Sequence, residues 1–367
     1  LSSGRTKEPA ASPVAVSAPG KLILMGEHAV VYGRPALVAA LDLRLTVRVA
    51  PRADGAVRLD LPGLRHTEET SWEALRAYAH SVRESWHAYS REPAPERFHA
   101  VRREDPAHVV KVALGETAET LSTPGLSLRV ESELPIGSGF GSSAATAVAV
   151  IAGYLAFRGQ PLDPRRIEEL ALEVERRQHG FPSGVDSATV LFGGLLWARK
   201  LPAGGLEVER LAVTSPLLRR LQVYDTGTPA ESTGVVVAAV RARRDRDPAA
   251  HENLLDRIEA ATWGLRSQLE QPAEDTAATV ALIRECQACL EELGVVPEEV
   301  RTLVRRVEAE GGAAKVSGAG SLSGPGAGSV LVYHPETERI AAWPFLQSLS
   351  FHSVRLGADG LRRETDA

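Results

Sequence analysis

The sequence predicts an α+β protein built from two units, and three observations carry that reading. Segments that alternate apolar and polar residues, the mark of strands, are separated by long helical patterns. In the second half, strand patterns return only after several consecutive helices, which points to helices packed on a sheet. The length of 367 residues suits two domains of roughly 150 residues each. A boundary is expected near residue 217, giving units 14–217 and 218–367.

The elements follow in order. Residues 1–13 carry charge, proline and serine without an apolar run, so they read as a disordered leader rather than a signal peptide. Val14–Pro19 reads as a short strand. Ala36–Ala50 alternates in its second half (Leu43, Leu45, Val47, Val49) and reads as a strand with one polar face. Within 66–115, Trp72, Leu75, Ala79, Val82 and Trp86 recur at helical spacing, which predicts amphipathic helices broken by a loop at Arg91–Glu96. Leu126–Glu131 alternates again. Ala144–Ala156 is apolar on every side, as a buried helix requires. Pro164–Gln178 is a charged amphipathic helix that stops at His179-Gly180, where glycine can cap it. Pro182–Gly184 reads as a turn, and Leu195–Arg199 as a strand leading through a hairpin at 202–205 to another. The second half offers a strand at Leu221–Thr226 and helices near 233–244, 250–270, 275–293 and 298–310. A glycine-rich loop at 317–328 and strands at Ser329–Tyr333 and His352–Leu356 follow.

Composition narrows the function classes. A net charge of −5 argues against a surface for nucleic acid. No apolar run reaches the roughly 18 residues of a membrane span. The two cysteines, Cys286 and Cys289, follow helical spacing with Ala281, Leu282 and Leu290, so they read as packed thiols. A zinc site needs four ligands and no second pair exists. Low cysteine usage fits a reducing cytoplasm.

Four segments carry chemistry. Glu133-Leu-Pro-Ile-Gly-Ser-Gly-Phe-Gly-Ser-Ser-Ala-Ala-Thr146 delivers a strand into a glycine-rich turn and then a helix. Gly137, Gly139 and Gly141 let successive N–H groups face one point, and Ser142 and Ser143 stand where the helix begins. Such a helix start is a ready phosphate site, although a plain serine N-cap would look the same. The second segment, Ala18-Pro-Gly-Lys-Leu-Ile-Leu-Met-Gly-Glu-His-Ala-Val-Val-Tyr-Gly-Arg-Pro-Ala36, holds Lys21, Glu27 and His28. The third, Glu175-Arg-Arg-Gln-His-Gly-Phe-Pro-Ser-Gly-Val-Asp186, holds two carboxylates. The fourth is Lys315-Val-Ser-Gly-Ala-Gly320. No GxxxxGK[ST] motif is present, so any phosphate cradle falls to residues 137–143.

In this order the four segments resemble the GHMP kinase superfamily and, within it, the mevalonate kinases. The resemblance implies a ribosomal S5 domain 2-like N-terminal domain and a ferredoxin-like C-terminal domain, with ATP and substrate meeting between them. It implies phosphoryl transfer from ATP with Mg2+ to the 5-hydroxyl of mevalonate, in isoprenoid precursor synthesis. The partners are then small molecules, with no nucleic acid and no membrane, and a homodimer is compatible with the reading. Pro135, Gly137, Ser138, Gly139, Gly141, Ser142, Ser143 and Ala144 would hold the phosphates, and Ser143 and Glu175 the metal. Asp186 would accept the substrate hydroxyl proton. Lys21 beside it would favour the ionised aspartate and the developing alkoxide. Glu27 and His28 would line the substrate pocket, His28 as a donor to a carboxylate or hydroxyl and Glu27 as an acceptor from a hydroxyl, and Lys21 and His28 are the candidates for an acidic substrate's carboxylate. Ser232 and Thr233 would approach from the second domain, or cap the following helix. Ser317, Gly318, Ala319 and Gly320 would complete the site.

One segment departs from the family pattern. Where a compact TGAGGGG run is usual, this chain reads Ser317-Gly-Ala-Gly-Ser-Leu-Ser-Gly-Pro-Gly-Ala-Gly-Ser329, which lengthens or reshapes the loop and leaves the roles of Gly324–Gly328 open. The alternatives are a sister kinase acting on phosphomevalonate, a sugar or homoserine, an ATP-dependent diphosphomevalonate decarboxylase, and a non-catalytic binding protein. A phosphorylated substrate would require an added arginine or lysine cluster, for which Arg34 and Arg44 are candidates.

Overall fold

The computed structural model describes residues 12–93, 95–118, 124–135, 137–213 and 215–365. Most of the expected leader at 1–13 lies outside them. The first half contains β1 (Val14–Met25), β2 (Pro35–Pro51), β3 (Val57–Leu61), β4 (His66–Thr70), α1 (Trp72–Arg91), α2 (Pro95–Val101) and α3 (His108–Ala118). It continues through β5 (Leu126–Ser132), α4 (Ser142–Phe157), α5 (Pro164–His179), α6 (Val185–Phe192), β6 (Leu195–Lys200) and β7 (Leu206–Leu211). The second half runs α7 (Leu217–Arg220), β8 (Gln222–Asp225), α8 (Thr233–Arg246), α9 (Pro248–Glu270), α10 (Thr276–Glu292), α11 (Glu298–Ala309), β9 (Ala313–Val316), β10 (Ser329–Tyr333), β11 (Ser350–His352) and β12 (Arg362–Arg363).

The strands form two sheets. The larger runs β12-β1-β2-β5-β3-β4, and β6 and β7 extend it from the other end of β2. The 17 residues of β2 make this branching possible: 35–39 pair with β6 and 45–51 with β5, while β1 runs along the opposite edge. The smaller sheet, β11-β8-β10-β9, is antiparallel throughout. Helix α4 explains how the large sheet is covered. Thirteen of its 16 residues are buried, from Ala144 to Phe157, so it packs against sheet and neighbouring helices all round. Each fully buried Val, Ile or Leu side chain contributes about 1.5–3 kcal/mol. Its small residues let the helix settle on the side chains of the sheet: a Cβ at Gly153 would lie 3.2 Å from the Val47 side chain of β2.

Besides the unexpected short helix α7, three differences from the sequence expectation have a physical reason. β1 continues six residues past Pro19, because its later residues Leu22, Leu24 and Met25 are as buried as its first. A β3–β4 hairpin occupies 57–70; its second strand, His-Thr-Glu-Glu-Thr, is polar on both faces and shows no apolar alternation. The late strand at His352–Leu356 is instead a three-residue strand ending at His352, and the chain then crosses to the large sheet, where Arg362 and Arg363 pair with Ser17 and Val16. Among the described residues no helix is long and apolar enough to cross a membrane. Cys286 and Cys289 are unbridged and buried in α10.

Candidate active site

A cleft of about 520 Å3 lies where the two halves meet, and it brings the four sequence segments together. The first-half wall comes from β1, the start of α4, and the α5–α6 turn. The second-half wall comes from the start of α8 and from residues 317–320 and 327–328.

Lys21 reaches the cleft through a bulge. The β1–β2 register shifts between Pro19 and Lys21, and the freed Lys21 N–H donates to the Phe140 carbonyl of the glycine turn at 2.9 Å. The same strand that carries the amine therefore anchors the glycine-rich loop. The loop has left-handed backbone at Gly137, Gly139 and Gly141 (φ 81°, 81° and 74°). At Gly141 a second reason holds: a Cβ there would sit 2.6 Å from Cγ of Lys21. Gly141 is also the N-cap of α4, and no side chain caps the helix. The plain serine N-cap is thus excluded. Ser142, Ser143 and Ala144 open the helix and all line the cleft, where first-turn N–H groups lack intrahelical acceptors.

Two expected loop residues lie outside the cleft. Ser138 is buried, and its hydroxyl donates to Asp225 at the end of β8; the Ser329 N–H donates to its carbonyl at 3.1 Å. It ties the loop to the second sheet. Pro135 is absent from the lining, and it has no N–H to offer a phosphate.

Both carboxylates lie within reach of the Lys21 charge. Gly180 (φ 80°) ends α5, and Gly184 (φ 85°) starts α6, so Glu175 and Asp186 face each other across a tight turn. Lys21 Nζ lies 2.9 Å from Asp186 Oδ2, with the aspartate side chain 34% exposed and the lysine 6%. Glu175 is buried. Its Oε1 accepts from the Ser187 N–H at 2.9 Å and from the Ser187 hydroxyl. Burial, reinforced by the nearby Asp186 charge, pushes the Glu175 carboxyl up to about 7. Burial holds His179, in the same turn, down at about 4.

The expected substrate residues divide. Glu27 lines the cleft wall, but its carboxylate is fully buried against the ammonium of Lys315. It is one half of an ion pair joining the two halves of the chain, so it offers a hydroxyl no free acceptor. Burial raises its pKa against the opposing pull of Lys315. His28 has φ 59°, unusual for a residue with a Cβ. Its Nε2 lies 3.0 Å from the Ala319 carbonyl, and burial lowers its pKa to about 4. A neutral imidazole bonded this way carries its proton on Nε2, which leaves Nδ1 an acceptor rather than the expected donor. The Ser317 hydroxyl donates to the Ile23 carbonyl at 2.8 Å, while Gly318, Ala319 and Gly320 line the cleft beside it. Ser232 is the N-cap of α8, yet its side chain makes no capping bond, and it and Thr233 face the cleft.

Glu231 orders the reshaped loop. It accepts from the Ser321 hydroxyl at 2.6 Å, the Leu322 N–H at 2.9 Å and the Ser323 hydroxyl. The loop's far end returns to the site, where Gly328 (φ 76°) lies against the carbonyl of Ser138 and lines the cleft with Ala327. Sequence reasoning missed Glu231, Lys315 and Arg102. Only Lys315 left a signal, a lysine within the otherwise apolar Ala-Ala-Lys-Val, which calls for a buried counter-charge.

Residues 107–194 match the family model for the GHMP kinases N terminal domain. The chain is 33% identical over 309 residues to mevalonate kinase of Archaeoglobus fulgidus, covering 83% of this chain and 88% of that one. It is 31% identical over 370 residues to mevalonate kinase of Bos taurus, covering 91% and 89%. The crystal structure of L. major mevalonate kinase in complex with R-mevalonate shares the fold, with a TM-score of 0.69 at 21% identity over 96% of this chain and 99% of that one.

Proposed function

The chain belongs to the mevalonate kinase family of the GHMP kinases, and from that premise we propose that it transfers the γ-phosphoryl group of ATP to the 5-hydroxyl of mevalonate. The observation that carries the reading is the Lys21–Asp186 pair, whose aspartate is one-third exposed, in the same cleft as the uncapped start of α4. Phosphoryl transfer asks a protein mainly to hold the phosphate in line, offset its charge and ready a hydroxyl. The first-turn N–H groups of α4 and the loop glycines supply donors for the phosphates. Asp186 takes the hydroxyl proton, a role that contributes about 10²–10⁴-fold. The Lys21 ammonium stabilises negative charge growing on the attacking oxygen.

Ser143 and Glu175 are the proposed holders of a magnesium ion. The residues suit it: both are oxygen donors, and Glu175 is a buried carboxylate whose anion is destabilised by burial and by Asp186, a situation a divalent cation relieves. When bound, the ion would neutralise charge on the nucleotide phosphates.

The sister reading on a phosphorylated substrate has less support. Arg34 is engaged by Glu252, Asp256 and Glu259, and Arg44 by Ser17 and the carbonyls of Asp359 and Gly360. Neither lines the cleft. A coupled ADP-release assay with mevalonate, phosphomevalonate, galactose and homoserine tests the proposal. Turnover of mevalonate supports it, and turnover of phosphomevalonate alone would sink it.

A further inference from the structure

Charge matching in the cleft is incomplete without one more residue. ATP brings its phosphates to the amides of α4 and to Lys21, whereas mevalonate brings a carboxylate that needs a cation or several N–H donors of its own. Among the described residues only two that line the cleft carry a fixed positive charge, Lys21 and Arg102. Lys21 is already bonded to Asp186. The His28 proton is directed at the Ala319 carbonyl, and His179 is held neutral by burial. Ser232 and Thr233 offer hydroxyls.

Arg102 differs from all of these. It is exposed, it follows directly on α2, and its side chain makes no hydrogen bond or ion pair among the described residues. Its backbone is nevertheless held. The Arg102 N–H donates to the Phe98 carbonyl at 2.9 Å. The Phe98 ring packs where α5 ends and α8 begins, so close that a Cβ at Gly234 would lie 2.9 Å from it. A free guanidinium thus stands on a fixed stem at the junction of α2, α5 and α8. Its charge reaches His179, whose proton affinity it lowers together with Lys21.

We propose that Arg102 binds the carboxylate of the substrate and so makes this kinase select a hydroxy acid over a neutral alcohol. The planar fork of arginine matches a carboxylate through two parallel N–H bonds, which a lysine cannot reproduce. The inference rests on the mevalonate reading above.

The test is steady-state kinetics of wild type, Arg102→Gln and Arg102→Lys. The varied substrates are mevalonate, ATP, and a neutral analogue of mevalonate with a hydroxymethyl group in place of the carboxylate. Arg102→Gln should raise KM for mevalonate about ten- to hundredfold, as loss of a charged hydrogen bond does. The effect on kcat should be smaller, KM for ATP should stay near wild type, and Arg102→Lys should recover part of the loss. With the neutral analogue the gap between wild type and Arg102→Gln should close. A rise in KM for ATP in place of that for mevalonate, or a penalty that persists with the neutral analogue, overturns the proposal. So does an unchanged KM for mevalonate, which would leave the kinase assignment standing. Failure of the wild type to turn over mevalonate removes the assignment and the proposal together.

Discussion

Two lysine–carboxylate pairs lie beside one cleft, and they do opposite things. Lys21 and Asp186 meet at 2.9 Å with the aspartate one-third exposed; Lys315 and Glu27 meet with both side chains fully buried. The first pair keeps lone pairs and protons free for a ligand. In the second, the lysine also donates to the Val316 carbonyl at 2.8 Å, and Cys286 closes the far side of the glutamate. A buried pair of this kind contributes little net stability over an apolar replacement, but removing one member is costly because the other charge is stranded. Accessibility, rather than the identity of the charges, separates the pair proposed for chemistry from the one that joins the two halves of the chain.

The largest expected effect breaks the open pair. Asp186→Asn should lower kcat by at least about 10²-fold while the thermal midpoint moves little. Near-normal turnover would remove Asp186 from the mechanism. Breaking the closed pair should do the reverse. Lys315→Met leaves a buried carboxylate unpaired and should cost about 3–5 kcal/mol in urea unfolding. Adding Glu27→Gln to it should recover much of that loss. If the double variant is no more stable than the single, the pair is not the clamp described here.

A smaller effect sharpens the contrast within the open site. Glu175 has a folded pKa of about 7, raised from 4.5 by burial and Asp186. The folded chain then binds more protons than the unfolded chain between those values. Its contribution to stability is therefore full below about 4.5 and is lost as pH rises through 7. Glu175→Gln, measured without nucleotide or magnesium, should accordingly have a higher Tm than wild type at pH 8 and a similar one at pH 4.5. It should also lose activity. Equal Tm values at pH 8 would show that Glu175 carries no such penalty.

Much of the site was legible because its residues sit in compact local motifs. Lys21 after Pro-Gly, the glycine turn before an apolar helix, and Asp186 after Pro-Ser-Gly each announce a backbone shape that positions a group. What stayed hidden depends on contacts between distant segments. Glu27 and Lys315 are 288 residues apart, and nothing local to either names the other. Arg102 stands among arginines and histidines with no pattern to single it out, and its lack of a partner is visible only in three dimensions. The N-cap serine could not be told from a phosphate site by spelling alone; that Gly141 is itself the N-cap, with no side chain capping the helix, removes the serine-cap reading. Elements followed the same rule. The four long helices of the second half, α8 to α11, were read to within a few residues from their periodicity, whereas the short α7 was not read, and β4 and β12 owe their existence to neighbouring strands and carry no apolar signature.

The contact between Gly141 and Lys21 has an evolutionary consequence. Because a methyl group at 141 would occupy the space of the lysine stem, position 141 cannot enlarge while Lys21 is kept. A larger residue at 141 is tolerable only after the neighbouring stem has been shortened, and shortening it withdraws the amine. In descendants of this gene a change at 141 should therefore appear only where Lys21 has already changed, and a lineage that loses the glycine should also have abandoned the reaction.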